Sequence, residues 1–202
     1  MTDRSELHFW YDFASTYSYP AAMRVEDEAA HAGIDVIWRP FLLGPIFAAQ
    51  GWADAPFSIY PVKGRYMWRD LTRICADESL PFNRPDIFPQ NSLLAARIAL
   101  IGTQEGWAAP FTCAVFDANF VHGRSISDTE VLRTIIQELG LEPAGIIERA
   151  TAPENKDRLK KQVEEAQWLG IFGAPSFVAD GELFWGFDRM RRAVAWASGD
   201  HL

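Results

Sequence analysis

Strand-like sequence lies near the two ends of this chain, and the long stretch between them is patterned as helix. Leu7 to Phe13 (Leu-His-Phe-Trp-Tyr-Asp-Phe) is aromatic-rich and bounded by charge, which predicts a buried first strand. Ser18 to Ala32 shows helical spacing through Ala21, Ala22, Val25 and Ala29, with acids on the other face and Gly33 as a stop. Ile34 to Trp38, ahead of Pro40, reads as a second strand reached by a right-handed crossover. Near the other end, Ser176 to Ala179 and Glu182 to Trp185 flank Asp180-Gly181, the signature of a hairpin. A last helix is expected from Asp188 to about Ser198.

Between these ends, Tyr66–Ser79, Asn91–Gln104, Trp107–Phe120, Asp128–Leu139, Pro143–Ala150 and Glu154–Leu169 all carry helical periodicity. Ser127-Asp128-Thr129-Glu130 supplies a start signal and Gly140 a stop. The order βαβ, helical block, ββα describes a small α/β domain, residues 1–44 and 171–202, interrupted by an all-helical insertion over 45–170.

Composition narrows the function. The 202 residues, 49% apolar and 23% charged, suit one globular domain or one carrying a large insertion. The net charge of −8, with no basic run beyond Arg191-Arg192, argues against nucleic acid as a partner. Phe41 to Ala49 is the longest apolar stretch, about half a membrane span and interrupted by Gly44-Pro45, so no bilayer crossing is expected. Met1 to Glu6 are polar and show neither an apolar signal region nor a cleavage site, which points to the cytoplasm. Cys75 and Cys113 sit in separate apolar helical patterns and read as inert core thiols. The four histidines are scattered, and no metal site is expected. Eight tryptophans and fourteen phenylalanines are first a core-packing load, though part of that surface could line a pocket for a flat ligand.

Two local features point to chemistry. Ser15-Thr16-Tyr17-Ser18 lies where the first strand hands over to the first helix, a place that favours an anion such as a thiolate. Ser15 or Ser18 could equally serve as a helix cap. Phe172-Gly173-Ala174-Pro175 places an X-Pro bond just before a strand. A cis bond there would expose the Ala174 backbone beside Ser15, ready to pair with an extended peptide ligand, although Gly-Ala-Pro alone also describes a loop turn.

The topology, the S-x-x-S in place of a redox C-x-x-C, and the late G-x-P before a hairpin resemble the thioredoxin-like superfamily, in the DsbA-type branch with a helical insertion. Within it, Tyr11 to Tyr19, Arg39-Pro40-Phe41-Leu42-Leu43-Gly44, Lys63-Gly64-Arg65-Tyr66, Phe172 to Pro175 and Gly186 to Met190 look like the 2-hydroxychromene-2-carboxylate isomerases. Kappa-class glutathione transferases share these motifs. The resemblance implies glutathione as cofactor, with Ser15 as the catalytic residue beside its sulfur and Ala174, before Pro175, pairing with its cysteine backbone. It puts Phe187 and Asp188 at the γ-glutamyl end and offers Lys63 to a carboxylate. Taken alone, Lys63 also reads as a solvated surface charge and Asp188 as a helix cap. The resemblance further implies a homodimer and a small aromatic substrate. Asn91 corresponds to a position near the pocket, though helix capping explains it equally well.

The sequence departs from that pattern in three places. Ala48 stands where a Lys is usual, Trp52 where an Asn is usual, and Thr16 where a Pro commonly follows the first Ser. Losing a cation and an amide while gaining an indole should shift preference toward a less acidic or more aromatic substrate. The expected function is a glutathione-dependent isomerase of aromatic-compound breakdown. A kappa-like transferase and a non-catalytic thioredoxin-like binding module are the rivals. With no cysteine in the first turn, disulfide exchange is set aside.

Overall fold

The computed structural model describes residues 5–201. Four strands form one mixed sheet in the order β2-β1-β3-β4. β1 (Glu6–Tyr11) and β2 (Asp35–Pro40) run parallel, with Phe9 opposite Trp38. β3 (Ser176–Ala179) lies antiparallel to β1, placing Phe177 opposite Phe9, and β4 (Glu182–Trp185) closes the hairpin.

β1 is central and covered on both faces, which is why its sequence reads as a continuous apolar run. Side chains of a strand alternate between faces, and the packing follows that period of two. Leu7, Phe9 and Tyr11 enter one core, while Trp10 joins Phe41, Ile46, Val163 and Val178 on the other side. The larger core runs without interruption from the sheet through Leu71, Ile98, Phe116 and Leu132 to Met190. Cys75 and Cys113 lie in or against it, and burial pushes each thiol up to about 11.

β1 stops at Tyr11, short of the expected Phe13, because the Asp12 carboxylate accepts from the backbone N–H of Ala14 at 2.9 Å and turns the chain. β2 runs to Pro40, which an edge strand tolerates since a missing N–H there breaks no inner ladder. The single helix expected over Ser18–Ala32 is two, α1 (Ser18–Ala22) and α2 (Val25–Ala32). No glycine or proline marks the junction. Arg24 leaves helical geometry there, at φ −125°, with its guanidinium held by the Glu78 side chain and carbonyl.

α3 (Leu43–Ala49) and α4 (Pro56–Ile59) precede the expected helical block, and α5 (Pro61–Asp77) begins before Tyr66. Pro45 and Pro61 each fall in a first helical turn, where a proline's missing N–H has no intrahelical partner to lose. Gly44-Pro45 therefore opens a helix where the sequence suggested a break. The remaining helices, α6 (Leu93–Glu105), α7 (Ala108–Phe120), α8 (Thr129–Glu138), α9 (Pro143–Thr151) and α10 (Pro153–Trp168), fall close to their patterned spans. Asp128 caps α8 by accepting from Glu130 N–H, and Glu142 caps α9 through Ala144 and Gly145. A 3-10 turn (Phe187–Arg189) leads into α11 (Met190–Ala197).

Among the described residues no strand falls between β2 and β3. This is a thioredoxin-like α/β fold, βαβ…ββα, with a large all-helical insertion. No helix among the described residues is long and apolar enough to cross a membrane.

Candidate functional site

The ends of β1 and β2 and the loop before β3 converge at one edge of the sheet. Asp12 ties the first two together. Its Oδ1 accepts from Ala14 N–H at 2.9 Å and its Oδ2 from Leu43 N–H at 2.7 Å, fastening the β1–α1 turn to the first residue of α3. Burial raises its pKa, while these two N–H groups and the Ser92 hydroxyl pull the other way.

Within that turn Ser15 is buried, at 6% exposure, and its backbone N–H donates to Asp12 O at 2.9 Å. Its Oγ does two things. It donates to the carbonyl of Ala174 at 2.9 Å, across 159 residues of chain, and it accepts from Ser18 N–H at 3.3 Å. The capping role and the role facing Ala174 thus belong to the same hydroxyl. The Ala174-Pro175 bond is cis, Pro175 O accepts from Gly186 N–H at 2.9 Å, and Ser176 Oγ donates to Gly173 O at 2.9 Å. Ser18 is the first residue of α1, and its Oγ is buried with no hydrogen-bond partner among the described residues. α1 itself is a short helix, so a macrodipole contributes less to an anion at Ser15 than a single long helix would, and hydrogen bonding must do more.

Ser15 and Ala174 open onto a cavity of about 720 Å³. Its walls are mainly aromatic and aliphatic: Tyr17, Phe47, Trp52, Phe57, Val62, Tyr66, Met67, Phe172 and Trp185. Lys63 also lines it, with Nζ 4.7 Å from the ring centre of Tyr60. Trp185 lies against Phe172, ring centres 4.9 Å apart, and flush on Gly173, where an added Cβ would come within 2.4 Å of the indole nitrogen. A side chain there would have to push the indole aside, although the backbone angle is an ordinary one. Tyr17 donates its hydroxyl to Asp70 Oδ2 at 3.1 Å; burial first, then the Asp70 charge, keep that phenol protonated.

A second cavity of about 420 Å³ adjoins the first and shares Ala14, Leu43, Phe47, Trp52 and Phe57 with it. Asp12, Ala48, Asp54 and Asn91 complete much of its wall. Asn91 Oδ1 accepts from Leu93 N–H at 3.0 Å, so the residue caps the start of α6 while lining the cavity.

The structure therefore brings Ser15, Lys63, Ala174 and Trp52 around the larger cavity and Trp52 with Asn91 around the smaller one. Phe187 and Asp188 line neither. Phe187 packs against the main core, and Asp188 is exposed and paired with Arg189 at 2.9 Å. Tyr17, Phe47, Phe57, Tyr66 and Trp185 were not singled out in the sequence. Tyr17 and Tyr66 stand in the quoted motifs without a role of their own, and for the other three aromatic type was the only signal, which did not separate wall from core. Among the described residues no cluster of His, Cys, Asp and Glu could hold a metal ion.

A sheet of this order, with the Ser15 turn after β1 facing a cis proline before β3, defines the thioredoxin-like class. Residues 6–195 match the family of the DSBA-like thioredoxin domain, and the chain belongs to that family. It is 28% identical over 185 residues to a 2-hydroxychromene-2-carboxylate isomerase of Sphingobium xenophagum, covering 91% of this chain and 93% of that one. It is also 28% identical over 190 residues to a protein of the same name from Pseudomonas putida, covering 91% and 90%. A solved structure of a 2-hydroxychromene-2-carboxylate isomerase superposes with a TM-score of 0.85 at 25% identity, over 96% of this chain and 94% of that one. The cytosolic disulfide reductase DsbM of Pseudomonas aeruginosa shares the fold, with a TM-score of 0.67 at 21% identity over 96% of each chain.

Proposed function

We propose that this protein is a glutathione-dependent isomerase of the 2-hydroxychromene-2-carboxylate type, acting on aromatic ring-fission products in aromatic-compound breakdown. The observation that carries this reading is the Ser15 hydroxyl, held 2.9 Å from the Ala174 carbonyl at the wall of a large cavity. The names of the relatives support the isomerase part of it.

The residues present fit a thiol tripeptide. The backbone of Ala174 offers strand-like pairing to a peptide, Lys63 offers a cation to a carboxylate, and the cavity has the size of a small-molecule site. Glutathione, if bound, would supply a nucleophilic thiolate that an isomerisation does not consume. Ser15 would hold the sulfur by donating its O–H to it instead of to the Ala174 carbonyl, which would then be free to accept a peptide N–H. A charge-assisted bond of this kind contributes about 1.5–3 kcal/mol. The Asp12 staple fixes the Ser15 turn so that little reorganisation accompanies that change. Serine cannot exchange disulfides, and Cys75 and Cys113 belong to the core region behind the turn.

Product analysis tests the reading. Incubated with glutathione and a 2-hydroxychromene-2-carboxylate or related ring-fission product, the protein should yield an isomer while the glutathione concentration stays constant. A glutathione conjugate among the products would make it a transferase. No glutathione in a binding titration and no turnover would leave a binding module.

A further inference from the structure

The smaller cavity carries acid and no base. Asp12 and Asp54 are the acidic residues on its wall, and among the described residues no Lys, Arg or His lines it. Its neutral polar groups are largely engaged. Gln90 donates through Nε2 to Asn119 Oδ1 at 3.1 Å and accepts Ile126 N–H at 2.7 Å, and the Ser92 hydroxyl bonds Asp12. Asp54 Oδ1 accepts from Ala55 N–H, which leaves its second oxygen as an acceptor. Flat apolar surface comes from Phe47, Trp52 and Phe57. Lys63, the cation lining the larger cavity, does not line this one.

We infer that this cavity takes an uncharged, hydroxyl-bearing aromatic ring at one end of the substrate and rejects a carboxylate at that end. The inference rests on the proposed function in assigning the cavity to the substrate, whose reacting carbon must reach the Ser15 cleft across the wall the two cavities share. A carboxylate placed here loses water and meets two acids without a compensating cation. A phenolic hydroxyl instead donates to the open Asp54 oxygen while its ring lies on Phe47 and Trp52.

Calorimetric titration of the full-length protein at pH 7, without glutathione, tests this with naphthalen-2-ol and naphthalene-2-carboxylate as matched probes. The naphthol should bind at least about tenfold more tightly. Asp54→Asn should narrow that ratio. Ala48→Lys, which places a cation at an exposed position lining only this cavity, should lift naphthoate binding toward or above that of the naphthol. Equal or tighter naphthoate binding to the unmodified protein overturns the inference. So does failure of the naphthol to bind up to its solubility, or a ratio that neither substitution moves. Glutathione titrated separately into the same preparation keeps the two ideas apart. Absent glutathione binding with the naphthol preference intact contradicts the proposed function alone, whereas normal glutathione binding without the preference contradicts only the cavity assignment.

Discussion

Phe9, Tyr11, Phe13, Phe116 and Phe177 are fully buried and pack ring on ring, with Phe9 and Phe177 stacked at 5.2 Å. Around the Ser15 cleft, Trp52, Phe172, Trp185 and Tyr66 stand 40%, 46%, 52% and 61% exposed. The two groups draw on the same residue types yet have opposite relations to water. Rings in the first group gain their full transfer free energy on folding, whereas rings in the second leave apolar surface exposed that a ligand could cover. Stability and binding should therefore respond to different aromatic truncations.

The largest effect should fall in the buried group. Phe177→Ala opens a void between β1 and the helices and should cost about 3–5 kcal/mol in urea unfolding. Trp185→Ala, by contrast, should change stability by about 1 kcal/mol or less while weakening glutathione binding several-fold. Equal stability losses in the two variants would break the distinction. Gly173→Ala sharpens it further, because the new methyl must displace the Trp185 indole from the cleft wall. KM for glutathione should rise with little change in the urea midpoint. Lys63→Met should raise KM a few-fold with kcat held, as expected for removing one exposed cation from a carboxylate.

A smaller effect concerns His8, on the sheet away from the cleft. Burial first, then the neighbouring Arg39 charge, lower its pKa below the ordinary 6.5, against the pull of Glu6 and Glu165. Between the lowered value and 6.5 the folded protein binds fewer protons than the unfolded chain, so stability rises with pH through that window and is lost as pH falls. His8→Gln should flatten this segment of the stability curve and leave turnover unchanged, which urea midpoints at a series of pH values would show.

What was legible in the sequence follows the same division. The hairpin at Asp180-Gly181 and the strand at Leu7 are set by local turn chemistry and by burial on both faces, so residue types alone expose them. Ser15 and Ala174 could be paired because each sits at a strand end whose place in the topology is fixed. The break at Met23-Arg24 was invisible, since a distant Glu78 holds Arg24 and no local residue marks the junction. Gly44-Pro45 reads as a break because proline has opposite meanings in a helix's first turn and in its interior. Phe187 and Asp188 lie outside both cavities, and the contact of Trp185 with Gly173 is purely tertiary.

The most direct test of a thiolate held by Ser15 is the ultraviolet absorbance of the thiolate against pH, with glutathione bound to the unmodified protein, to Ser15→Ala and to Ser18→Ala. Ser15→Ala should raise the pKa of the bound thiol and reduce glutathione-dependent turnover about ten- to a hundredfold, with the urea midpoint little changed. Ser18→Ala should follow the unmodified profile, because that hydroxyl is buried with no hydrogen-bond partner among the described residues. A Ser15→Ala titration superimposable on that of the unmodified protein, with turnover intact, would reduce the hydroxyl to a helix cap and contradict the account.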